Sequence, residues 1–348
     1  MRNVSLITLT LVVLNGYSES HADIFLFDGL ATKQIATTNQ NDLSLQISGS
    51  NVVWHMVDRF DTEIYLYDGN VRRQLTDNSF NDELPQVSGS NVVWQSPAGI
   101  FLFNGETTRE VTLDGREPLV SGSNVIWSSG DDDEIELFLY DGSTTIQLTD
   151  NDVVELHADI SGSRVVWDAS DGNDREIFLH DGSMITQLSR NGIDDIFPHI
   201  SDSRVVWETD SGIFLYDGTI KLLSTAGTHA RISESNVVWQ EYDGNDREIF
   251  LFDGSSTTRL TNNSFDDLGP EVSGSNVAWT GWDGHDWEIL LHDGFMTTQL
   301  TDNNFDDVSP QISGSNVVWE AVVPEPSTFG LVTCLTCLVS GRRRSDRR

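Results

Sequence analysis

The motif Asp-Gly-Asn-Asp-Arg-Glu occurs at residues 171–176 and 243–248, and residues 283–288 are a close variant. Carboxylate and amide oxygens crowded into a short loop are the hard ligands that Ca²⁺ prefers. The spacing is not that of an EF-hand loop, because glycine stands second and no bidentate glutamate follows at the required distance. A tight turn in which the first aspartate caps its own backbone explains the same motif. A turn alone and a turn that binds Ca²⁺ therefore both stay open, and the candidate ligands are Asp171, Asn173, Asp174, Asp243, Asn245, Asp246, Asp283 and Asp286.

Two tryptophans lie at the third copy of this motif in a predicted loop: Trp282 directly precedes it and Trp287 is its fifth residue. A paired aromatic surface suits contact with a sugar ring or a peptide, and packing within the loop is the alternative. The histidines are scattered along the chain, which contains neither HExxH nor G-x-S-x-G. We therefore predict no catalytic residues and a protein that is not an enzyme.

The charge is concentrated in the middle of the chain. The formal net charge is −35. Residues 1–22 contribute one arginine and one glutamate, and residues 324–348 contribute five arginines against one glutamate and one aspartate, so the middle carries −38. Such a body repels nucleic acid, which needs clustered cations, and favours divalent cations instead. We expect no nucleic-acid partner.

Internal repeats determine the predicted fold. Val-Val-Trp or a near variant recurs at intervals of 32 to 40 residues, ending at Trp54, Trp94, Trp127, Trp167, Trp207, Trp239, Trp279 and Trp319. Between these markers an apolar run closes in Asp-Gly or Asn-Gly, a hairpin signal. Each unit predicts four short strands, with Val-Val-Trp first and a short strand around residues 198–201 as the fourth. This spacing is typical of a β-propeller, whereas β-solenoid repeats are usually shorter.

The repeat resembles the TolB-like family of propeller repeats, which is related to the WD-repeat type. The pattern Asp-x-x-Pro-x-Ile-Ser-Gly-Ser-Asn-Val-Val-Trp is fullest at residues 306–319, and Asp-Gly-x-Asp-x-Glu-Ile-Phe-Leu-Tyr-Asp-Gly is approached at 243–254. The resemblance spans residues 23–320 and implies the fold rather than a function, because such propellers serve many tasks.

The phase of the repeat predicts how the ring closes. The body begins with the second strand type, at residues 23–27, and ends with the first type, at 315–319. Joining the two gives one composite blade and leaves no free edge. We therefore predict eight four-stranded blades over residues 23–322. The loops that join the first strand to the second and the third to the fourth share one face, and they hold most of the carboxylates, so we call it the acidic face. The units from Trp94 to Trp127 and from Trp207 to Trp239 lack residues in these loops, which predicts a notch in the acidic face.

Both ends of the chain have the composition of processing signals. Residues 1–22 combine Arg2, an apolar run and Ser-His-Ala, which predicts a secretory signal peptide. Residues 323–348 resemble a PEP-CTERM sorting tail: Pro324, Glu325 and Pro326 match its motif, a short apolar segment follows, and Arg342, Arg343 and Arg344 match its basic end. The apolar segment is short for a bilayer span, which favours transient membrane contact over a permanent anchor. Cys334 and Cys337 lie in it without further metal ligands, so no zinc or redox role is predicted.

These observations predict an exported propeller of the cell envelope or extracellular space that serves as a binding or matrix scaffold. The resemblance of the tail implies an exosortase-type processing partner. The expected ligand is an extracellular polysaccharide or an envelope protein, and Ca²⁺ is the one cofactor the sequence points to. The alternative is a propeller enzyme, a lyase or hydrolase, that acts on extracellular polysaccharide.

Overall fold

The computed structural model describes residues 20–38, 44–58, 60–131 and 134–324. These ranges form thirty-two β-strands and contain no helix, so none that is long and apolar enough to cross a membrane. The strands make eight antiparallel sheets of four strands each. The predicted all-β, eight-bladed propeller is therefore confirmed.

Blade 8 takes its two outer strands from the start of the chain, β1 (Ser20–Phe27) and β2 (Thr32–Thr37). Blade 1 contains β3 (Gln46–Ser48), β4 (Asn51–Asp58), β5 (Asp61–Tyr67) and β6 (Arg72–Gln74). Blade 2 contains β7 (Glu83–Ser88), β8 (Asn91–Ser96), β9 (Gly99–Phe103) and β10 (Thr108–Thr112). Blade 3 contains β11 (Arg116–Ser121), β12 (Asn124–Asp131), β13 (Glu134–Tyr140) and β14 (Thr145–Gln147).

Blade 4 contains β15 (Leu156–Ser161), β16 (Arg164–Ser170), β17 (Arg175–His180) and β18 (Ile185–Gln187). Blade 5 contains β19 (Asp195–Ser201), β20 (Arg204–Thr209), β21 (Gly212–Tyr216) and β22 (Ile220–Ser224). Blade 6 contains β23 (Gly227–Ser233), β24 (Asn236–Tyr242), β25 (Arg247–Phe252) and β26 (Thr257–Arg259). Blade 7 contains β27 (Asp267–Ser273), β28 (Asn276–Trp282), β29 (Trp287–His292) and β30 (Thr297–Gln299), and β31 (Asp306–Ser313) and β32 (Asn316–Pro324) complete blade 8.

The predicted grouping of strands into blades was wrong by one strand. The strand at residues 195–201, expected as the fourth of its unit, is instead the first strand of the next blade, where Ser201 pairs with Arg204. The reason is the turn between them: two residues join these strands as a tight hairpin, whereas the connection from β18 to β19 is longer and crosses between sheets. In every blade the Val-Val-Trp strand is thus second.

The first strands form the inner ring of the propeller. Each of them contacts the first strand of the next blade, and β31 contacts β3, so the series closes. Closure was predicted through the composite blade, and the structure confirms it: β1 pairs antiparallel with β32, with Phe25 opposite Trp319. Blade 8 is also linked to blade 1, because the Asn316 Nδ2 donates to the Gly49 carbonyl at 2.7 Å and the Gly49 N–H donates to the Ser313 Oγ at 2.8 Å.

The core lies between blades. The repeat tryptophans are at most 2% exposed, and seven of them stack on the aromatic residue opposite on a neighbouring strand, as Trp54 does on Tyr65 with ring centroids 5.9 Å apart. Val52 and Val53 are fully buried on opposite faces of β4, because neighbouring blades cover both faces of each sheet. The continuous apolar runs of the repeat follow from this two-sided burial.

Seven of the inner strands contain a β-bulge near the end that lies at the acidic face. At the equivalent position of each inner strand stands a Pro, Ala or Leu, and in all eight blades the residue just before it has a positive φ. That residue is glycine only in blade 7, at Gly269; in the other blades it is Ser44, Leu84, Glu117, His157, Phe197, His229 and Ser309. A left-handed conformation repeated at bulky residues is strained and persists only where the surroundings impose it. The bulges determine the direction in which the side chains at this end of the inner strands point.

Candidate functional site

The three copies of the acidic motif form hairpin turns on one face of the ring, in blades 4, 6 and 7. In each turn the Oδ1 of the first aspartate accepts a hydrogen bond from the backbone N–H two residues later, as Asp283 does from His285 at 2.7 Å. These bonds hold the pKa of Asp243 and Asp283 below its usual range. The expected turn chemistry is confirmed, and it leaves the other carboxylates of the motif free for a second role.

Each turn gathers three carboxyl groups. One oxygen from each lies within 4.8 Å of the others in the sets Asp171–Asp174–Glu176, Asp243–Asp246–Glu248 and Asp283–Asp286–Glu288. The predicted aspartates are thus brought together, whereas Asn173 and Asn245 are exposed and contribute backbone N–H groups to the turn. The sequence analysis missed the glutamates. The sequence spacing could have identified them. Each glutamate stands two residues after an aspartate of the motif at the start of a strand, and residues two apart in a strand point to the same side.

Several of these carboxylates are buried without a hydrogen-bond donor. Asp246 is 6% exposed and neither of its carboxylate oxygens has a partner among the described residues. In blade 7 the same holds for the Asp286 Oδ2 and the Glu288 Oε2, in side chains that are 7% and 1% exposed. Burial, and then the neighbouring carboxylates, raise the pKa of Asp246 and Asp286. Burial likewise raises the pKa of Glu288.

Blade 6 differs from its two counterparts by an arginine. The Arg259 Nη2 lies 2.7 Å from the Asp243 Oδ2 and 2.5 Å from the Glu248 Oε1. The residues in the same register are Gln187 in blade 4 and Gln299 in blade 7. Among these three turns, that of blade 6 is the one in which an arginine is bonded to the clustered carboxylates.

Trp282 and Trp287 end and begin neighbouring strands, rather than lying in a loop as predicted. They stand directly opposite each other in the β28–β29 pair, with ring centroids 5.3 Å apart and the rings edge to face. Trp287 also lines a groove of about 360 Å³ between blades 7 and 8. The groove continues to Glu271 and Gln311 on the inner strands and includes the hydroxyls of Thr280 and Ser309.

The inner ring carries a chain of charged groups that the sequence analysis missed. The network involves one equivalent position of the inner strands. This position directly follows the shared Pro, Ala or Leu and precedes the Ile or Val of the repeat. From blade 1 to blade 8 it holds Gln46, Gln86, Leu119, Asp159, His199, Arg231, Glu271 and Gln311. The Arg231 Nη1 donates to the His199 Nε2 at 2.9 Å, and the Arg231 Nε donates to the Glu271 Oε1 at 3.2 Å.

These bonds fix the tautomer of His199. A guanidinium can only donate, so the His199 Nε2 accepts and its Nδ1 carries the proton. That Nδ1–H faces the Asp159 Oδ2 at 3.3 Å. Burial in the ring raises the pKa of Glu271, and Arg231 opposes this shift. Four consecutive blades are thus linked by one polar network, although the histidines looked scattered in sequence.

Blades 4 and 5 carry an aromatic pair and a buried ion-pair network where their inner strands begin. His157 and Phe197, both at left-handed bulge positions, lie with ring centroids 4.2 Å apart. The His157 Nδ1 lies 2.8 Å from the Oδ1 of the fully buried Asp168, and the Arg175 Nε donates to the other oxygen of that carboxylate at 2.6 Å. Burial raises the pKa of Asp168, while Arg175 and His157 oppose the shift.

The predicted processing signals lie mostly outside the described residues. Pro324 is the last residue of β32, whereas Glu325, Pro326, Arg342, Arg343 and Arg344 fall beyond it, as do residues 1–19. Residues 20–22, expected at the signal-peptide end, belong to β1, where Ala22 is fully buried opposite Val322. Removal of these three residues would shorten the pairing of β1 with β32.

Solved structures of similar shape include a β-propeller domain and a peptidase. The β-propeller domain of the trilobed protease from Pyrococcus furiosus matches with a TM-score of 0.53 at 12% identity, over 75% of this chain and 95% of that one. Pyrococcus horikoshii acylaminoacyl peptidase matches with a TM-score of 0.51 at 12% identity, over 76% of this chain and 54% of that one. This chain therefore spans about half the length of the peptidase.

A TolB protein from Agrobacterium tumefaciens is covered over its whole length, and 89% of this chain, at 16% identity, but its TM-score of 0.41 is too low to support a closer relationship. No protein-family model matches this sequence, and no curated protein sequence matches it. At these identities the likeness shows the fold alone. The chain is an eight-bladed β-propeller.

Proposed function

We propose that this propeller is an exported, non-enzymatic binding module of the cell envelope, and that its ligand is an extracellular polysaccharide. The observation that supports this proposal most directly is the groove between blades 7 and 8. Its volume of about 360 Å³ falls within the range of small-ligand sites. An indole at one end and a carboxylate, an amide and hydroxyls along the walls offer stacking for a sugar ring and hydrogen bonds for its hydroxyls.

The charge of the body narrows the class of polysaccharide. A net charge of −35 for the whole chain repels polyanions at long range. Inside the groove, Glu271 is paired with Arg231, so the groove holds no surplus cation to attract an acidic sugar. Neutral sugars or amino sugars therefore fit better than uronic acids or sulfated sugars.

The test is binding of the full-length protein to a glycan array, followed by titration calorimetry with each glycan that binds. We expect Trp287→Ala to weaken binding by about tenfold or more, since stacking on an aromatic ring contributes roughly 1 kcal/mol or more. Phe80→Ala is the matched control, because Phe80 is an exposed aromatic residue on the same face, 49% exposed, far from the groove in blade order. Equal losses for both variants, or no binding to any glycan, would contradict the proposal.

Export and sorting form the second half of the proposal. The support is the signal-like start of the chain and the match of Pro324, Glu325 and Pro326, with the arginines at 342–344, to a PEP-CTERM tail. An exosortase-type enzyme would process the tail during transient membrane contact. Replacing the three motif residues by alanine in a host with an exosortase should leave uncleaved protein in the membrane fraction. Cleavage and release unchanged from the wild type would contradict this half.

An enzyme that acts on extracellular polysaccharide is the second candidate. The charged network of Asp159, His199, Arg231 and Glu271 favours it, because these residues depart from the repeat in consecutive blades. The two functions separate in one assay of the purified protein with each bound glycan. New reducing ends or unsaturated products would establish the enzyme, and intact glycan after binding would support the module.

A further inference from the structure

The carboxylate cluster of blade 7 has a feature that turn chemistry does not explain. Asp283 satisfies the backbone of the turn. Asp286 and Glu288 do not need to be buried for that purpose, yet each keeps one oxygen buried and without a donor. An unpartnered buried carboxylate is costly, and two of them beside each other repel. Neutralisation by a cation removes both penalties.

The spacing of the oxygens is compatible with Ca²⁺. Ca²⁺ binds oxygens at 2.3–2.6 Å, so two of its ligands lie at most about 5 Å apart. The three carboxylates of blade 7 each offer an oxygen within 4.8 Å of the others. Mg²⁺, with ligands at 2.0–2.1 Å, would require oxygens within about 4.2 Å and a stricter octahedron. An all-carboxylate set of oxygen donors is the ligand type that Ca²⁺ prefers, and Ca²⁺ tolerates the less regular geometry.

Blade 6 provides an internal comparison for the same site. There the guanidinium of Arg259 lies between Asp243 and Glu248, at 2.7 Å and 2.5 Å. A positive group already stands where a metal ion would have to be placed. We propose that blade 7 binds Ca²⁺ through Asp283, Asp286 and Glu288, and that Arg259 takes the place of that ion in blade 6.

The blade 4 cluster is left out of this proposal because its glutamate is already satisfied. The Ser189 hydroxyl donates to the Glu176 Oε2 at 2.5 Å, and the Asn191 N–H donates to the Glu176 Oε1 at 2.7 Å. In blade 7 the Asn303 N–H donates to the Glu288 Oε1 at 3.0 Å, and the other oxygen remains free. The two turns share a sequence motif but differ in the oxygens available to an ion.

Reciprocal substitutions at one register position test the proposal. Gln299→Arg places in blade 7 the residue found in blade 6, and Arg259→Gln does the reverse. Both variants use residues that the repeat already tolerates at that position. We expect calorimetry of the chelator-treated full-length protein to show one bound Ca²⁺ fewer in Gln299→Arg and one more in Arg259→Gln.

A spectroscopic readout separates blade 7 from the other turns. Trp282 and Trp287 flank its turn, so Tb³⁺ bound there is excited through tryptophan. We expect tryptophan-sensitised Tb³⁺ emission that Ca²⁺ displaces, that Gln299→Arg abolishes and that Arg259→Gln leaves unchanged. The melting temperature of the wild type should rise with Ca²⁺ more than with Mg²⁺ or Na⁺ at equal ionic strength.

Three results would overturn the proposal. The first is an equal rise in melting temperature with all three cations, which is the signature of screening alone. The second is retention of the Ca²⁺-displaceable Tb³⁺ emission by Gln299→Arg. The third is an unchanged Ca²⁺ stoichiometry in Arg259→Gln, a variant that gives blade 6 the glutamine found at the same register in blades 4 and 7.

Discussion

The inner ring of the propeller has two halves with the same backbone and different side chains. Blades 8, 1, 2 and 3 present Gln311, Gln46, Gln86 and Leu119 at the shared position. Blades 4 to 7 present Asp159, His199, Arg231 and Glu271 there, joined by hydrogen bonds. Both halves have a residue with a left-handed backbone conformation two positions before this one. The neutral half shows that the fold does not require charge at this place.

The comparison identifies where the molecule departs from its own repeat. Glutamine occupies the position three times and leucine once, each compatible with a closed ring. The ring therefore does not require the four ionisable residues of the other half, and their partial desolvation has a cost in stability. The groove at Trp287 borders this half through Glu271, and the blade 7 turn lies above it. Specialised features thus accumulate on one side of the ring.

The largest effect expected is one that both halves share. Trp127→Ala in blade 3 and Trp279→Ala in blade 7 should each lower the free energy of unfolding by about 3–5 kcal/mol, because both indoles are at most 2% exposed. Urea denaturation followed by circular dichroism measures this. A loss confined to one half would show that the two halves do not share one cooperative fold.

A milder substitution at the same positions sharpens the comparison. The Trp279 Nε1 donates to the Asp267 Oδ1 at 2.8 Å, whereas the Trp127 Nε1 has no partner among the described residues. Trp279→Phe should therefore cost about 1–3 kcal/mol more than Trp127→Phe, because it leaves a buried carboxylate oxygen unpaired. Equal costs would mean that this hydrogen bond contributes nothing net.

The pH dependence of stability gives the next largest effect. Burial raises the pKa of Asp307 to about 6, although the Asn303 amide and the Trp319 indole N–H bond to its carboxylate and oppose the shift. Its value in the unfolded chain is about 3.9. The folded state therefore binds this proton more tightly, so stability falls as pH rises from about 4 to about 6 and is level above that. One such group contributes at most about 3 kcal/mol.

Asp307→Asn is the variant that tests this dependence. The amide oxygen still accepts from Trp319, but the side chain no longer titrates. We expect denaturation in chelator-containing buffers between about pH 4.5 and 7.5 to show a weaker rise in stability toward acid for this variant than for the wild type. Asp181 serves as the control, since hydrogen bonds from its own turn hold the pKa to about 2, outside this range. An unchanged slope in Asp307→Asn would contradict the assignment.

The number of blades could be predicted from the sequence, but the charged network of the inner ring could not. The Trp spacing and the Asp-Gly hairpins predicted eight blades, because each repeat must cover its neighbour with the same apolar strands. The position of the loops within the repeat also predicted the acidic face and the aspartates of the turns. The inner position that holds Arg231 in one blade and Gln46 in another was visible in the repeat, but only the ring shows that these positions are neighbours.

Other features depend on where side chains lie in three dimensions, which the spacing of residues in the sequence does not reveal. The sequence shows Arg259 where blade 7 has Gln299, but not that the guanidinium bonds Asp243 and Glu248. The assignment of the innermost strand was wrong because the repeat is cyclic, so its marker residues do not reveal where one sheet ends. Hydrogen bonding across the tight turn between β19 and β20 determines that boundary.

The smallest expected effect is also the most direct test of the two halves. Arg231→Gln leaves Glu271 and His199 without their shared donor, so we expect it to cost about 1–2 kcal/mol. Glu271→Gln removes one partner of the same pair and should cost about 1 kcal/mol or less, since the pair is partly exposed.

The double variant reproduces the glutamines of the neutral half. It should therefore cost less than the sum of the two single variants, and about 0.5 kcal/mol in total. A double-mutant cycle measured by urea denaturation gives this coupling. Strict additivity would mean that the two charges act independently, and the charged half would then be a set of separate substitutions rather than one network.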